Sequence, residues 1–279
     1  ANVEQAPSVT TTAATTLATA VNAVNEAKRL FNDHLGRHNG GSGLKIFSHK
    51  VVDAANPVAT ADMSAGSTYE AAILVLLITM VNELRIDFSA HGANLKPDGT
   101  ASGVHAAADV TNVLGGQPTL TDWAGIADSL NLLKTSFNDH IVFSAGASPH
   151  LIADGTNGAT APNALASDID SMVTLANQLK AKLTAHYSQA GVHSTNDTFN
   201  TVATADVAYP AGLYTLANGL KAAYNLHRAS VTYHESADAT NVVSSADATT
   251  VATLITLAAE LQSDITAHFR FAPVTRAVR

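Results

Sequence analysis

The fold is encoded most clearly in residues 217–257, ANGLKAAYNLHRASVTYHESADATNVVSSADATTVATLITL. They contain an amphipathic segment that ends at a histidine, a polar connection, and the start of a second amphipathic segment. Similar segments recur along the chain, and self-similarity of this kind is the signature of a repeat architecture. The six segments end at histidines that we call the anchor histidines, and these are spaced 57, 49, 46, 41 and 41 residues apart: His34, His91, His140, His186, His227 and His268.

A second motif, His-x-x-x-Asp-x-x-Asn, follows each of the first five anchor histidines. Asp and Asn side chains at such spacing close successive turns and cap an incoming helix. We therefore interpret the motif as a loop-forming element in which the histidine bonds the aspartate. Its five copies are His49, Asp53 and Asn56; His105, Asp109 and Asn112; His150, Asp154 and Asn157; His193, Asp197 and Asn200; and His234, Asp238 and Asn241.

Apolar residues precede each anchor histidine at helical spacing. Before His268 they are Leu254, Leu257, Leu261 and Ile265, which fall on one face at 100° per residue. A start signal at 245–247 predicts a helix of about 25 residues, roughly 37 Å long. The sequence thus predicts an all-α fold of about six long helices with structured loops of 15 or more residues. It would form a bundle or short solenoid of imperfect repeats of 41–57 residues.

One repeat cannot bury its apolar stripe alone, so we predict a single helical-repeat domain over residues 17–270. Residues 1–16 are polar and rich in Thr, and residues 271–279 carry two Arg and no acid. We interpret them as an N-terminal arm and a basic C-terminal arm. Both arms either fray or bind neighbouring subunits.

Composition excludes several classes of function. With no Cys, the chain cannot use thiol catalysis, a thiolate zinc site or an iron–sulfur cluster. The net charge of −8 argues against a nucleic-acid partner. The most apolar run, 71–81, is 11 residues long, whereas a membrane span needs about 20, so we expect no membrane partner.

The sequence also lacks the common motifs of catalytic sites. The sequence contains no nucleophile elbow, phosphate loop, HExxH helix or dinucleotide fingerprint. A chemical site usually occurs once, whereas the distinctive residues here occur five or six times. Repetition is typical of scaffolds and extended surfaces, so we predict a non-enzymatic protein without a cofactor.

The histidines themselves allow two interpretations. In the first, an anchor histidine is half-buried at a helix C-terminus and bonds the following loop, without metal. In the second, two imidazoles and a carboxylate bind zinc or another divalent ion. The gap between the two histidines varies as 15, 14, 10, 7 and 7, which disfavours a tight chelate. The candidate metal sets would be His186, His193 and Asp197, and His227, His234 and Asp238.

The abundance of histidine also predicts sensitivity to pH. Protonation of all 12 histidines would change the formal charge from −8 to +4. Much of that change would fall between pH 7 and pH 5. If the loop histidines are buried and neutral, mild acidification should weaken folding or assembly.

Two further recurrences lie off the apolar stripe. An Asn precedes the anchor histidine by nine residues and a basic residue precedes it by six. One hypothesis is that both side chains hold the neighbouring repeat's loop against the helix, and the alternative is a repeated docking surface. The residues are Asn25, Asn82, Asn131, Asn177 and Asn218, with Lys28, Arg85, Lys134, Lys180 and Lys221.

The repeat, most clearly after residue 176, resembles the Ala/Thr-rich LKxx(Y/F)NxH…HxxxDxxN helical repeats of structural proteins of tailed bacteriophages. The resemblance covers about residues 20–270 and implies a virion component, made in the host cytoplasm. We expect a capsid decoration or cement protein that binds the major capsid protein, or further virion proteins, and copies of itself. A tail, neck or fibre component is the nearest alternative. The sequence is also compatible with a metal-binding helical protein and with a self-assembling extracellular filament subunit.

Overall fold

The predicted all-α fold is confirmed. The structure, a computed structural model, describes residues 12–35, 53–96, 98–105, 107–143, 150–189, 191–193, 195–232, 234 and 237–269. These residues form no strand and only two isolated β-bridges. None of the helices within them is long and apolar enough to cross a membrane. The helices are α1 (Leu17–Leu35), α2 (Gly66–Gly92), α3 (Trp123–Val142), α4 (Ile169–Tyr187), α5 (Thr215–Ala229) and α6 (Val251–Phe269).

The chain divides into two compact units, a division that the prediction of one domain over 17–270 did not include. The continuous unit spans residues 71–208, and the discontinuous unit combines residues 1–70 with 209–279. The boundary falls within α2. Residues 1–11 and 270–279, which include most of the predicted N-terminal arm and the whole predicted C-terminal arm, lie outside the described residues.

The discontinuous unit packs the first repeat against the last two. Its core joins apolar residues of α1, α5 and α6, including Phe31, Tyr224 and Leu261. The phenyl ring of Phe31 meets the ring of Tyr224 edge-on at 5.9 Å. The stripe predicted before His268 is fully buried. Helices from opposite ends of the sequence thus share one core.

The continuous unit packs α2, α3 and α4 together. Phe88 and Phe137 are buried, and their ring centroids lie 6.2 Å apart. The Phe137 ring lies 5.7 Å from that of the anchor His186 on α4. Burial of one such side chain contributes about 1.5–3 kcal/mol. The apolar stripes of the three helices therefore meet on the side that also carries the anchor histidines.

Most helices are shorter than the predicted 25 residues, since five of the six have 15–20 residues and only α2 reaches 27. Helix α6 begins at Val251, not at the signal in 245–247. Thr250 and Thr253 cap it reciprocally, with N···Oγ1 distances of 2.9 and 3.2 Å. The backbone of Ala248 pairs with Asn218 instead of continuing the helix.

Asparagines hold the loops against the helices. In α4, the Asn177 side chain donates to the Val207 carbonyl (3.0 Å) and accepts from the Val207 N–H (2.8 Å). Asn25, Asn131 and Asn218 bind Met63, Ala164 and Ala248 in the same way.

These contacts support the loop-holding hypothesis with one correction, because each loop belongs to the same repeat as the helix. Each connection therefore returns along the helix that precedes it. The basic residues reinforce the contact: Lys28, Lys180 and Lys221 pair with Asp62, Asp206 and Asp247, Lys134 donates to Asn163, and Arg85 donates to the Pro118 carbonyl.

We expect Asn177→Ala to lower the free energy of unfolding by about 2 kcal/mol, because two part-buried backbone groups of Val207 lose their partner. Urea denaturation followed by circular dichroism measures this change. Lys180→Met is the matched control on the same helix and loop, since its partner Asp206 is 67% exposed. This control should cost less than about 0.5 kcal/mol. Equal midpoints for wild type and Asn177→Ala would contradict the loop-holding role.

Candidate functional site

The site is assembled from a junction that every described copy of the loop motif forms around its aspartate. In the second copy, Asp109 Oδ1 accepts hydrogen bonds from the N–H groups of Thr111 and Asn112, both at 2.9 Å. Asp109 Oδ2 accepts from Asn112 Nδ2 at 2.8 Å. This turn confirms the interpretation of the Asp and Asn as a loop-forming pair. Asp53, Asp154, Asp197 and Asp238 bind their own turns and asparagines in the same way.

The same aspartates end the preceding helix. The backbone N–H of Asp109 donates to the carbonyl of Gly92, the residue after anchor His91, at 2.7 Å. Helix ends leave carbonyls without intrahelical partners, and this bond satisfies one of them. Asp53, Asp154, Asp197 and Asp238 donate to the carbonyls of Leu35, Ile141, Tyr187 and Arg228.

Each aspartate also binds a histidine, and this is always an anchor histidine. The sequence predicts that the aspartate bonds the histidine of its own motif. Instead, Asp109 Oδ2 lies 2.7 Å from Nδ1 of His140, the anchor histidine of the next helix. The histidine of the motif, His105, packs its ring on His91, with ring centroids 4.3 Å apart.

In the continuous unit these bonds close a ring of three helices. Asp109 binds His140 and Asp154 binds His186, each linking a loop to the following helix. Asp197 then binds His91 at 2.7 Å across 106 residues and joins the last loop to the first helix. In the discontinuous unit, Asp53 binds His227 and Asp238 binds His268.

The ring brings six imidazoles of the continuous unit together in two layers. The anchor layer is formed by His91, His140 and His186, whose ring centroids lie 5.2, 5.3 and 5.5 Å apart. The second layer, which we call the loop layer, comes from the loop motifs, and its centroids lie 5.0, 5.1 and 5.1 Å apart. The loop layer consists of His105, His150 and His193, and every ring of both layers is at most 4% exposed.

The discontinuous unit holds a related cluster. The rings of His34, His227 and His268 lie 5.3 Å from one another. His234 packs 4.5 Å from His227 and 5.0 Å from His268. His49 of the first loop motif lies outside the described residues, as does His38. This cluster therefore contains four described histidines.

The structure does not assemble the two candidate metal sets in the combination inferred from the sequence. His186 and His193 do meet, with their Nε2 atoms 3.2 Å apart. The carboxylate of Asp197, however, binds His91. In the discontinuous unit His227 and His234 also meet, whereas Asp238 binds His268. In both units, the imidazoles lie together in a cluster, and the carboxylates contact the Nδ1 atoms of the anchor rings.

Burial keeps five histidines of the continuous unit neutral near pH 7. Burial, with the nearby imidazoles adding to it, lowers the pKa of His105 to about 2 and the pKa of His193 to about 3. The same causes lower the pKa of His150 to about 3 and hold the pKa of His91 well below its usual value. Burial lowers the pKa of His186 to about 4, although its bond to Asp154 acts in the opposite direction.

Two of the aspartates behind the anchor rings, Asp109 and Asp154, remain ionised. Burial alone would raise the pKa of Asp109, but the bonds from His140 and Asn112 outweigh it and lower the pKa. The pKa of Asp154 is lowered in the same way by His186 and Asn157. Because a carboxylate only accepts hydrogen bonds, Nδ1 of His186 carries the proton toward Asp154, and Nε2 of this neutral ring presents a lone pair.

Sequence reasoning missed two sets of residues that hold the loops. Two residues before the anchor histidine, Asn138 binds both backbone groups of Ala159. Its signal was the recurring Asn-x-His within the segments. Asn32 and Asn225 bind the backbone groups of Val58 and Val243 similarly.

The second set lies eight residues before the anchor histidines. These side chains accept hydrogen bonds from backbone N–H groups of a loop that follows another helix, and they belong to Glu83, Gln178 and Glu260.

Comparison with protein-family models, with curated proteins and with solved structures finds no match to this chain. Its function is therefore inferred from the geometry of the repeats and from the residues they bring together.

Proposed function

We propose that the protein is a non-enzymatic structural component of a virion, present in many copies as a capsid decoration or cement protein. The observation that carries this proposal is the structural role of the repeated polar residues. The Asp, Asn and Lys residues of the motifs hold loops and helices to each other, as the junction of Asp109 with His140 illustrates. Such a chain is built as a rigid scaffold.

Several features of the molecule support a particle surface as its location. Within the described residues, loop backbone is hydrogen-bonded to helix side chains such as Asn177 and Asn218, and backbone held in this way resists proteolysis. The apolar side chains of Val75, Leu76 and Ile86 on α2 are exposed, and a partner protein that covered them would bury apolar surface, which stabilises association. The major capsid protein and copies of the chain itself are the partners that the virion assignment implies.

Immunogold electron microscopy tests the proposal. Antibodies raised against the purified chain are applied to particles from the culture that produces it. We expect many gold particles over the capsid shell. Label confined to the tail, neck or fibres would replace the capsid assignment with that alternative. Particles without label, or filaments of the chain alone, would contradict a virion role.

A further inference from the structure

We propose that the six histidines of the continuous unit bind one divalent first-row transition metal ion in six-coordinate geometry. This inference goes beyond a scaffold role, because it assigns a ligand to a cluster that packing alone does not explain. The ligands would be three anchor and three loop-layer imidazoles: His91, His140, His186, His105, His150 and His193.

Ring nitrogens of the six histidines lie close enough together, in overlapping sets, to surround such an ion. An octahedral ion with metal–nitrogen bonds of about 2.1 Å sets neighbouring donors about 3.0 Å apart and opposite donors about 4.2 Å apart. The Nε2 atoms of His186 and His193 are 3.2 Å apart. Donor atoms lie within 4.8 Å of one another in two overlapping sets: His91, His140, His150 and His186, and His91, His105, His150 and His193.

Several of these nitrogens are buried without a hydrogen bond. Within the described part of the chain, Nε2 of His91 and His140 and both ring nitrogens of His105 have no hydrogen-bond partner. Each buried polar atom without a partner is energetically costly. A single metal ion would satisfy a nitrogen on every ring at once.

The arrangement behind the anchor rings also favours a cation. His91, His140 and His186 each donate Nδ1–H to an aspartate, which directs Nε2 to the other side of the ring. A carboxylate behind a ligating imidazole fixes the ring and raises its basicity. The three carboxylates are those of Asp197, Asp109 and Asp154, and their negative charge complements a divalent ion.

Six imidazole donors select among ions. Zinc strongly prefers four ligands, whereas Ni²⁺, Co²⁺ and Fe²⁺ accept six nitrogen donors. The spacing between the anchor histidine and the loop histidine differs among the repeats, from 14 residues to 7, yet the rings of all three pairs join the same cluster. The longer connection is fastened at Asn94, whose side chain donates to the carbonyl of His105 at 3.0 Å.

A metal ion can reach the six rings only when the chain is unfolded, because the rings are buried from solvent in the folded protein. The test therefore unfolds the full chain in guanidinium chloride with a chelator and refolds it with Co²⁺ or Ni²⁺, followed by gel filtration. We expect retained metal, weak absorption bands of six-coordinate Co²⁺, and six nitrogen neighbours in X-ray absorption of the Ni²⁺ form. The melting temperature should rise by ~10 °C relative to the metal-free protein.

Two variants locate the metal. His105→Phe keeps an aromatic ring but removes a donor, and it should lower Co²⁺ affinity at least tenfold and abolish the six-coordinate spectrum. His234→Phe, at the equivalent position of the discontinuous unit, should leave that spectrum unchanged. Absence of retained metal in the wild type, four nitrogen neighbours, or equal spectra for His105→Phe and wild type would overturn the proposal. The neighbour count needs no variant, so a folding defect would not obscure it.

Discussion

At pH 5 the metal-free protein is expected to lose about 5 kcal/mol of its stability at pH 7.5. In the folded chain His105, His193 and His186 have pKa values of about 2, 3 and 4, whereas in the unfolded chain their pKa is near 6.5. The unfolded state therefore binds protons first as the pH falls. Stability is complete above pH 6.5 and decreases from there toward the folded-state values.

The expected size follows from the number of rings involved. Each neutral buried histidine costs up to ~2 kcal/mol at pH 5, so three such rings account for the expected loss of about 5 kcal/mol. Since a domain is stabilised by only about 5–15 kcal/mol, much of the protein should unfold. Asp109 adds little to this effect above pH 5, because at these pH values it is ionised in the folded chain and, with a pKa of about 3.9, in the unfolded chain as well.

Denaturant titrations in EDTA at several pH values measure the effect. The slope of unfolding free energy against pH gives the number of protons taken up on unfolding. His193→Phe should reduce that number by about one near pH 5. A free energy of unfolding that stays constant between pH 7.5 and pH 5 would show that the rings are protonated or solvated in the folded state.

The second large effect concerns the aspartate junctions. We expect Asp154→Ala to lower the free energy of unfolding by about 4 kcal/mol. Its carboxylate accepts from Nδ1 of His186, from Nδ2 of Asn157 and from two backbone N–H groups. In the variant, all of these donors would lose their acceptor while they remain shielded from water.

The matched control is Asp206→Ala, because this aspartate lies in the next loop and is 67% exposed. We expect it to cost less than about 0.5 kcal/mol. Thermal and urea denaturation at pH 7.5 compare the two variants with the wild type. Similar losses for both variants would mean that the junction at Asp154 does not hold the helices together.

Local features of the fold could be predicted because they depend on neighbouring residues. The stripe of Leu254, Leu257, Leu261 and Ile265 is buried as its spacing predicts. The Asp–Asn turns form within four residues, as at Asp238 and Asn241. Helix α6 is shorter than its start signal predicts, because Asn218 binds the backbone of Ala248 and so keeps that residue out of the helix.

The repeat, the helical stripes and the turn around each aspartate follow from the sequence alone, since these interactions join residues a few positions apart. Which histidine binds which aspartate depends instead on tertiary packing. Six similar anchors and five similar motifs allow many pairings of nearly equal local energy. Packing of the apolar stripes selects among them, so that Asp53 meets His227 across 174 residues and Asp197 meets His91 across 106. The gathering of six imidazoles in one place follows from that selection.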